Sequence, residues 1–273
     1  MSYDRKVALD FFSSAGQPTS IPKGEVIFAE HETARRLFTK KRAKIYLLLD
    51  GEVDLLHGQK PIGVVKMGEI FGELAAITDA PRSATAVAKT DCRVIALDDR
   101  ELKSALEKHP GFALMMMSMM IGKMRDTIAQ LNAADALTLG QNLEESASFD
   151  PERLQDLVRG LASDPPTFYP QGRPIMGEGS KAALMYVVVS GKVAISIGGK
   201  VVERLGPGGA FGEAALVDQS SRMASAVAET DCELQSITRP AFLQLVKSTP
   251  DFAFGLLASL AERLRFLTDR LPG

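Results

Sequence analysis

Two stretches of the chain carry side chains whose types and spacing suit chemistry. In each, Phe-Gly-Glu is followed nine residues after the glutamate by an arginine, in a loop made largely of small residues. The first set is Gly72, Glu73, Leu74, Arg82, Ser83 and Ala84; the second is Gly212, Glu213, Ala214, Arg222, Met223 and Ala224. A guanidinium fork beside free backbone N–H groups suits a phosphate. A carboxylate accepts a hydrogen bond from a hydroxyl. Glycine lets the backbone approach a ligand closely. Acid, base and small-residue loop together fit a ribose phosphate. A lone Glu and Arg at this spacing are more often surface charges or a structural ion pair. Recurrence is what raises these two above that reading.

The rest of the chemistry-bearing inventory is thin. No nucleophile–base constellation is present, which argues against an enzyme. His31, His57 and His109 are isolated in sequence, with no His-x-His pair to hold a metal. Cys92 and Cys232 occupy equivalent positions and read as buried apolar residues, not as a disulfide or metal site.

The elements that position the two sets are themselves repeated. Phe71 to Cys92 aligns with Phe211 to Cys232 at an offset of 140, with 12 of 22 residues identical. The offset carries Tyr46 onto Tyr186, Pro110 onto Pro250 and Arg125 onto Arg265. Upstream it becomes 148, laying IPKGEVIFAE from Ile21 over YPQGRPIMGE from Tyr169, so the first copy holds eight extra residues between Glu30 and Tyr46. A repeat of this length is a duplicated domain, divided here as 1–138 and 139–273.

Each copy opens on a short amphipathic helix, Asp4–Phe12 or Pro151–Leu161, the second with Asp150 as N-cap and Pro151 at its first position. Short aliphatic strands follow. IYLLLDGEVDLL and MYVVVSGKVAISI read as strand, turn, strand, and several such strands at close spacing predict a barrel or jelly roll. After Asp98 and after Arg239 the pattern turns helical: a short helix, a proline break, then a long helix. The fold class expected is mainly β with flanking α-helices.

Composition bounds the partners. The chain has 273 residues and a net charge of -2, which argues against nucleic-acid binding by overall charge. Local basic character sits in the insertion at Arg35, Arg36, Lys40, Lys41, Arg42 and Lys44, which as a charge run reads first as a solvated loop. The longest near-apolar run, Phe112 to Ile121, is too short to span a bilayer. The amino-terminal charges do not fit a signal peptide. A cytoplasmic protein is expected. The helix after Pro110 is crowded with Met115, Met116, Met117, Met119, Met120 and Met124, more apolar surface than one groove needs, which points to a homodimer.

The Phe-Gly-Glu…Arg stretches resemble the phosphate-binding cassette of the cyclic-nucleotide-binding domain family, the family of catabolite-activator-type regulators and of the regulatory subunits of cAMP-dependent protein kinase. The resemblance extends to Gly206 and Gly208 ahead of Phe211, to Tyr46 and Tyr186, and to the closing helices. It implies two tandem β-roll (jelly-roll) domains, each followed by a long helix. It implies that Arg82 and Arg222 bind a cyclic phosphate and that Glu73 and Glu213 bind the ribose 2′-OH. Amides near Leu74, Ala84, Ala214 and Ala224 assist. Ser83 offers a hydroxyl that Met223 lacks. The expected ligand is cAMP, with cGMP or a cyclic dinucleotide open, and no metal. No stretch is left for a helix-turn-helix, so the expected output is a conformational change passed to a separate effector protein. Two alternatives stand beside it: a transcriptional regulator touching DNA through residues 35–44, and a ligand-free dimerising scaffold.

Overall fold

The computed structural model describes residues 3–33, 35–36, 39–40, 42–78, 80–134, 136, 145–181 and 183–270. The chain divides into two compact units, Ser2–Met115 and Met116–Gly273. The expected boundary at 138/139 lies outside the described residues.

The first unit opens with α1 (Arg5–Ala15), started by Asp4, whose carboxylate accepts from the amides of Lys6 and Val7. Its strands are β1 (Pro18–Ile21), β2 (Val26–Phe28), β3 (Arg35–Arg36), β4 (Thr39–Lys40), β5 (Lys44–Asp50), β6 (Glu52–His57), β7 (Lys60–Lys66) and β8 (Ile70–Phe71). A short helix α2 (Glu73–Thr78) precedes β9 (Thr85–Ala88) and β10 (Cys92–Asp98). Helices α3 (Asp99–Lys108) and α4 (Pro110–Ala133) close the copy. α4 begins in this unit and from Met116 onward belongs to the second.

Two antiparallel sheets, β1-β10-β5-β8 and β2-β9-β6-β7, form the roll. The extra residues of the first copy add a two-stranded hairpin, β3-β4. The turn at Asp50-Gly51 does not fold β6 back on β5: those strands lie in different sheets, and the turn passes the chain from one to the other. Gly51 takes φ 92° there, and a Cβ would stand 2.5 Å from the Asp91 carbonyl. Only glycine makes that corner. Leu48, Val53, Val65, Phe71 and Val94, drawn from both sheets, pack as one core.

α3 starts in a capping box between Asp98 and Glu101, and Pro110 then opens α4 where its missing N–H costs nothing. Phe112 stacks on Phe11 of α1 with centroids 3.6 Å apart, and Phe12 meets it edge-on at 5.9 Å. All three rings are buried.

The second unit repeats the plan. After β11 (Glu145–Ser146) and α5 (Pro151–Gly160) come β12 (Thr167–Tyr169), β13 (Pro174–Met176), β14 (Leu184–Ser190), β15 (Val193–Ile197), β16 (Lys200–Leu205) and β17 (Ala210–Phe211). α6 (Ala214–Val217), β18 (Ser225–Ala228), β19 (Cys232–Thr238), α7 (Arg239–Ser248) and α8 (Pro250–Thr268) complete it. The sheets run β12-β19-β14-β17 and β11-β16-β15-β18-β13. Asp150 and Pro151 start α5 as the sequence predicts.

The chain is thus mainly β with flanking helices, two tandem rolls each closed by a long helix. Met115, Met116, Met117, Met120 and Met124 are buried within the single chain, so exposed apolar surface on α4 no longer argues for a second copy. Among the described residues no helix is long and apolar enough to cross a membrane.

Phe112→Ala deletes a ring that is 1% exposed and stacked on Phe11. It is expected to destabilise the first unit by about 3–5 kcal/mol, read as an earlier urea midpoint of the full chain's first transition. An unchanged midpoint would show that the helical end of the roll does not rest on this stack.

Candidate functional site

Both cassette arginines are buried, each 6% exposed. A buried guanidinium must find acceptors. Arg82 Nη1 donates to the Gly72 carbonyl and Nη2 to the Lys44 carbonyl, both at 2.8 Å. Arg222 does the same: Nη1 to the Gly212 carbonyl at 2.7 Å and Nη2 to the Leu184 carbonyl. Lys44 and Leu184 open β5 and β14; Gly72 and Gly212 directly follow β8 and β17. Each arginine therefore pins the end of its cassette to the first residue of a central strand. Gly72 and Gly212 hold φ of 73° and 83°. A Cβ on Gly72 would lie 2.9 Å from Arg82 Nη1, so a side chain here would unseat the guanidinium.

The other expected residues lie close by. Glu73 and Glu213 are 5% and 4% exposed. Leu74 sits on α2 and Ala214 on α6. Ser83 and Ala84, like Met223 and Ala224, join the arginine to β9 or β18. In the second unit Gly212, Glu213, Ala214, Arg222, Met223 and Ala224 all line one cavity of about 520 Å³, a size that suits a small organic ligand. Its apolar wall includes Met176, Ile195, Ile197 and Phe266. Arg222 Nε is buried and, among the described residues, has no hydrogen-bond partner. Burial draws the Arg222 pKa down from the ordinary arginine value, against the pull of Tyr186 and Glu213.

Arg82 meets different surroundings. The Phe28 ring lies over its guanidinium, 4.1 Å from centroid to Cζ. The counterpart of Phe28 at the 148 offset is Met176, which lines the second cavity. A cavity of about 110 Å³ borders Arg82, lined also by Phe28, Tyr46 and Arg42. Burial lowers the Arg82 pKa, with Tyr46, Glu32 and Glu73 opposing. In the basic insertion Arg42 pairs with Asp99; Lys41 lies outside the described residues. His57 approaches Glu30 at 2.7 Å and His31 does so at 3.8 Å, so two of the sequence-isolated histidines share one carboxylate. Among the described residues no group of three side chains is placed to hold a metal.

Sequence reasoning missed Arg263 of α8. Its Nη1 donates to Glu213 at 2.8 Å, its Nε to Glu203 at 2.9 Å and its Nη2 to the Ala210 carbonyl at 2.6 Å. Burial alone would lower its pKa, but Glu203 and Glu213 outweigh burial and hold it above the ordinary value. The side chain is 15% exposed. The carboxylate assigned to a ligand hydroxyl is thus oriented by α8, with its other oxygen not taken by Arg263. A signal was present: at the 140 offset the first copy has Lys123 for Arg263 and Gly63 for Glu203, so the acid is gained in the copy where the base is an arginine. Met124 and Ile128 of α4 also line the cavity and were not expected there.

A family model described as "Cyclic nucleotide-binding domain" matches residues 18–109 and 166–249. The cyclic AMP receptor protein of Thermus thermophilus is 44% identical over 102 residues, which cover 36% of this chain and 47% of that protein. A cGMP-dependent protein kinase of Toxoplasma gondii is 27% identical over 234 residues, 85% of this chain and 20% of the kinase. A cAMP-dependent protein kinase regulatory subunit of Eremothecium gossypii is 26% identical over 202 residues, 74% of this chain and 39% of the subunit. The chain therefore spans less than half the length of each of these relatives.

Removing Arg263 takes the shared counter-charge from the buried Glu213 and from the partly buried Glu203, which keeps its bond from the Ser146 hydroxyl. Arg263→Ala is expected to destabilise the second unit by about 3–5 kcal/mol, seen as a lower urea midpoint. Adding Glu203→Gln removes one stranded charge and is expected to recover part of the loss. If the single variant unfolds with the parent, the three-way bridge is not a stabilising contact.

Proposed function

Because the chain belongs to the cyclic nucleotide-binding domain family, we propose that it is a tandem receptor for a cyclic nucleotide, cAMP first, that reports occupancy to a separate effector protein and does no catalysis of its own. The observation that carries this reading is the buried Arg222, whose Nε has no partner among the described residues and which lines an apolar cavity together with Glu213. A monoanionic phosphodiester supplies the acceptor that Nε lacks. A ribose hydroxyl donates to Glu213, while Arg263 holds that carboxylate in place. The base lies against the aliphatic and aromatic wall, where Met124 and Phe266 stand. cGMP is the competing ligand, and a relative named for each nucleotide supports keeping both.

Ligand entry acts on the helices. α8 carries Arg263, so any change at Glu213 is felt on α8, and an effector that prefers one placement of that helix reads the change. The first cassette works by the same chemistry through Arg82 and Glu73, with Ser83 adding a hydroxyl to the phosphate. The reading places the protein in the cytoplasm and takes a protein effector ahead of DNA; steeply salt-dependent, ligand-dependent DNA binding would favour the alternative through residues 35–44. Sedimentation of the full chain tests whether it assembles as a homodimer.

Calorimetry of the full chain with cAMP, cGMP and a cyclic dinucleotide tests the assignment. Binding of one monocyclic nucleotide is expected, with Arg222→Ala weakening the second site and Arg82→Ala the first, each by about 30-fold or more. No heat and no melting shift with any of the three ligands would overturn the reading, and undiminished binding in the Arg82→Ala, Arg222→Ala double variant would move the site elsewhere.

A further inference from the structure

The cassette of the second unit is held by a residue that lies outside the repeat that builds it. Between Glu213 and Arg222 the chain runs through α6 and then through residues 218–221. Asp218 ends α6. Its carboxylate Oδ1 accepts from the Ser220 amide at 3.1 Å and from the Ser220 hydroxyl at 2.6 Å. Gln219 sits at φ 57°, an unfavourable value for a side chain that is neither glycine nor asparagine.

The loop is contacted by α4, the helix that by sequence closes the first copy. Arg125 Nε donates to Asp218 Oδ2 at 2.9 Å, and Nη2 donates to the Ser221 carbonyl at 3.1 Å and to the Ser220 hydroxyl. One guanidinium so grips three of the four positions 218–221. Asp218 is 19% exposed and Arg125 30%. Although burial works against it, bonding from Ser220 and Arg125 draws the Asp218 pKa below the ordinary carboxylate value. Met124, next to Arg125, and Ile128, one turn on, form part of the cavity wall. α4 therefore supplies both a wall and a strap.

We infer that Arg125 is a positioning residue for ligand binding at the second site: through Asp218, Ser220 and Ser221 it fixes the loop that sets Arg222 against Glu213. This rests on the proposed reading of that site. It touches no ligand itself. Its effect is to hold the cassette in the binding geometry before ligand arrives, so its loss lowers affinity by letting the loop sample other states.

The test uses the full chain carrying Arg82→Ala, which silences the first site. In this background Arg125→Ala is expected to weaken cyclic-nucleotide affinity about 10-fold and to speed ligand dissociation. Arg125→Lys keeps the charge but loses the fork, and is expected to fall between the two. Asp218→Asn is expected to reproduce most of the loss and to add little to Arg125→Ala. Hydrogen exchange of residues 214–222 without ligand is expected to be faster in Arg125→Ala. If that loop exchanges no faster, the strap is overturned whatever binds. If the loop loosens while affinity and dissociation stay at the background values, the positioning role is overturned. If the background binds no cyclic nucleotide by calorimetry, the functional reading of the second site falls, and the exchange result still decides whether Arg125 holds the loop.

Discussion

A guanidinium cannot leave water without acceptors, and each copy of this chain is assembled around one that has left it. Arg82 and Arg222 spend their Nη groups on two backbone carbonyls apiece, one at the glycine after a short strand, one at the first residue of a central strand. Burying a charge on such terms is tolerable only because the acceptors are fixed and close. The requirement propagates outward. The glycine must take a positive φ so that its carbonyl points at the arginine. The central strand must start at Lys44 or Leu184. The loop between glutamate and arginine must be long enough to return to the same corner. A helical turn and a short loop fill that gap in both copies.

From one scaffold the two copies make different surroundings. In the first, an aromatic ring covers the guanidinium, and the small cavity at its side is bordered by the insertion residue Arg42. In the second, methionine replaces the ring, the cavity is larger, and Arg222 keeps a polar atom with no acceptor among the described residues. The sequence difference at Ser83 and Met223 invites the reading that the first site is the better formed. The differences at Phe28 against Met176, Lys123 against Arg263 and Gly63 against Glu203 weigh the other way, because they concern the walls and the counter-charges and not one hydroxyl.

The repeat made most of the fold legible. An offset of 140 that holds through strands, cassette and helices can be satisfied only if both copies share one architecture, and the cassette residues could be read off either copy from the other. What stayed hidden depends on helical register across long sequence separations. Arg263 and Glu213 are 50 residues apart and Arg125 and Asp218 are 93 apart. On the sequence each arginine is one more charge on an amphipathic helix, and nothing local marks which turn will face a cassette. The crossing at Asp50-Gly51 was hidden for another reason. A strand-turn-strand pattern looks the same whether the second strand pairs with the first or moves to the opposite sheet, and the contact that crowds the corner, Asp91 against Gly51, is 40 residues away in sequence.

The charges around the second cavity have a consequence for what it accepts. Glu213 stands near enough to Arg222 to act on its pKa, so a carboxylate charge is felt where an anionic ligand would sit. Left alone, that charge would repel a phosphodiester at short range in a poorly hydrated site. Arg263 removes the conflict. It answers Glu213 directly and takes up Glu203 with its remaining edge, so two acids and one base are knit into a group whose single excess negative charge is shared with Arg222. An incoming anion then meets a guanidinium whose existing hydrogen-bond acceptors are neutral carbonyls. In the proposed complex Glu213 is then left to accept a hydrogen bond from a sugar hydroxyl. On the proposed reading, the base on α8 lets Glu213 and a phosphate share the second cassette, and it is supplied by the helix through which the site would make its occupancy known.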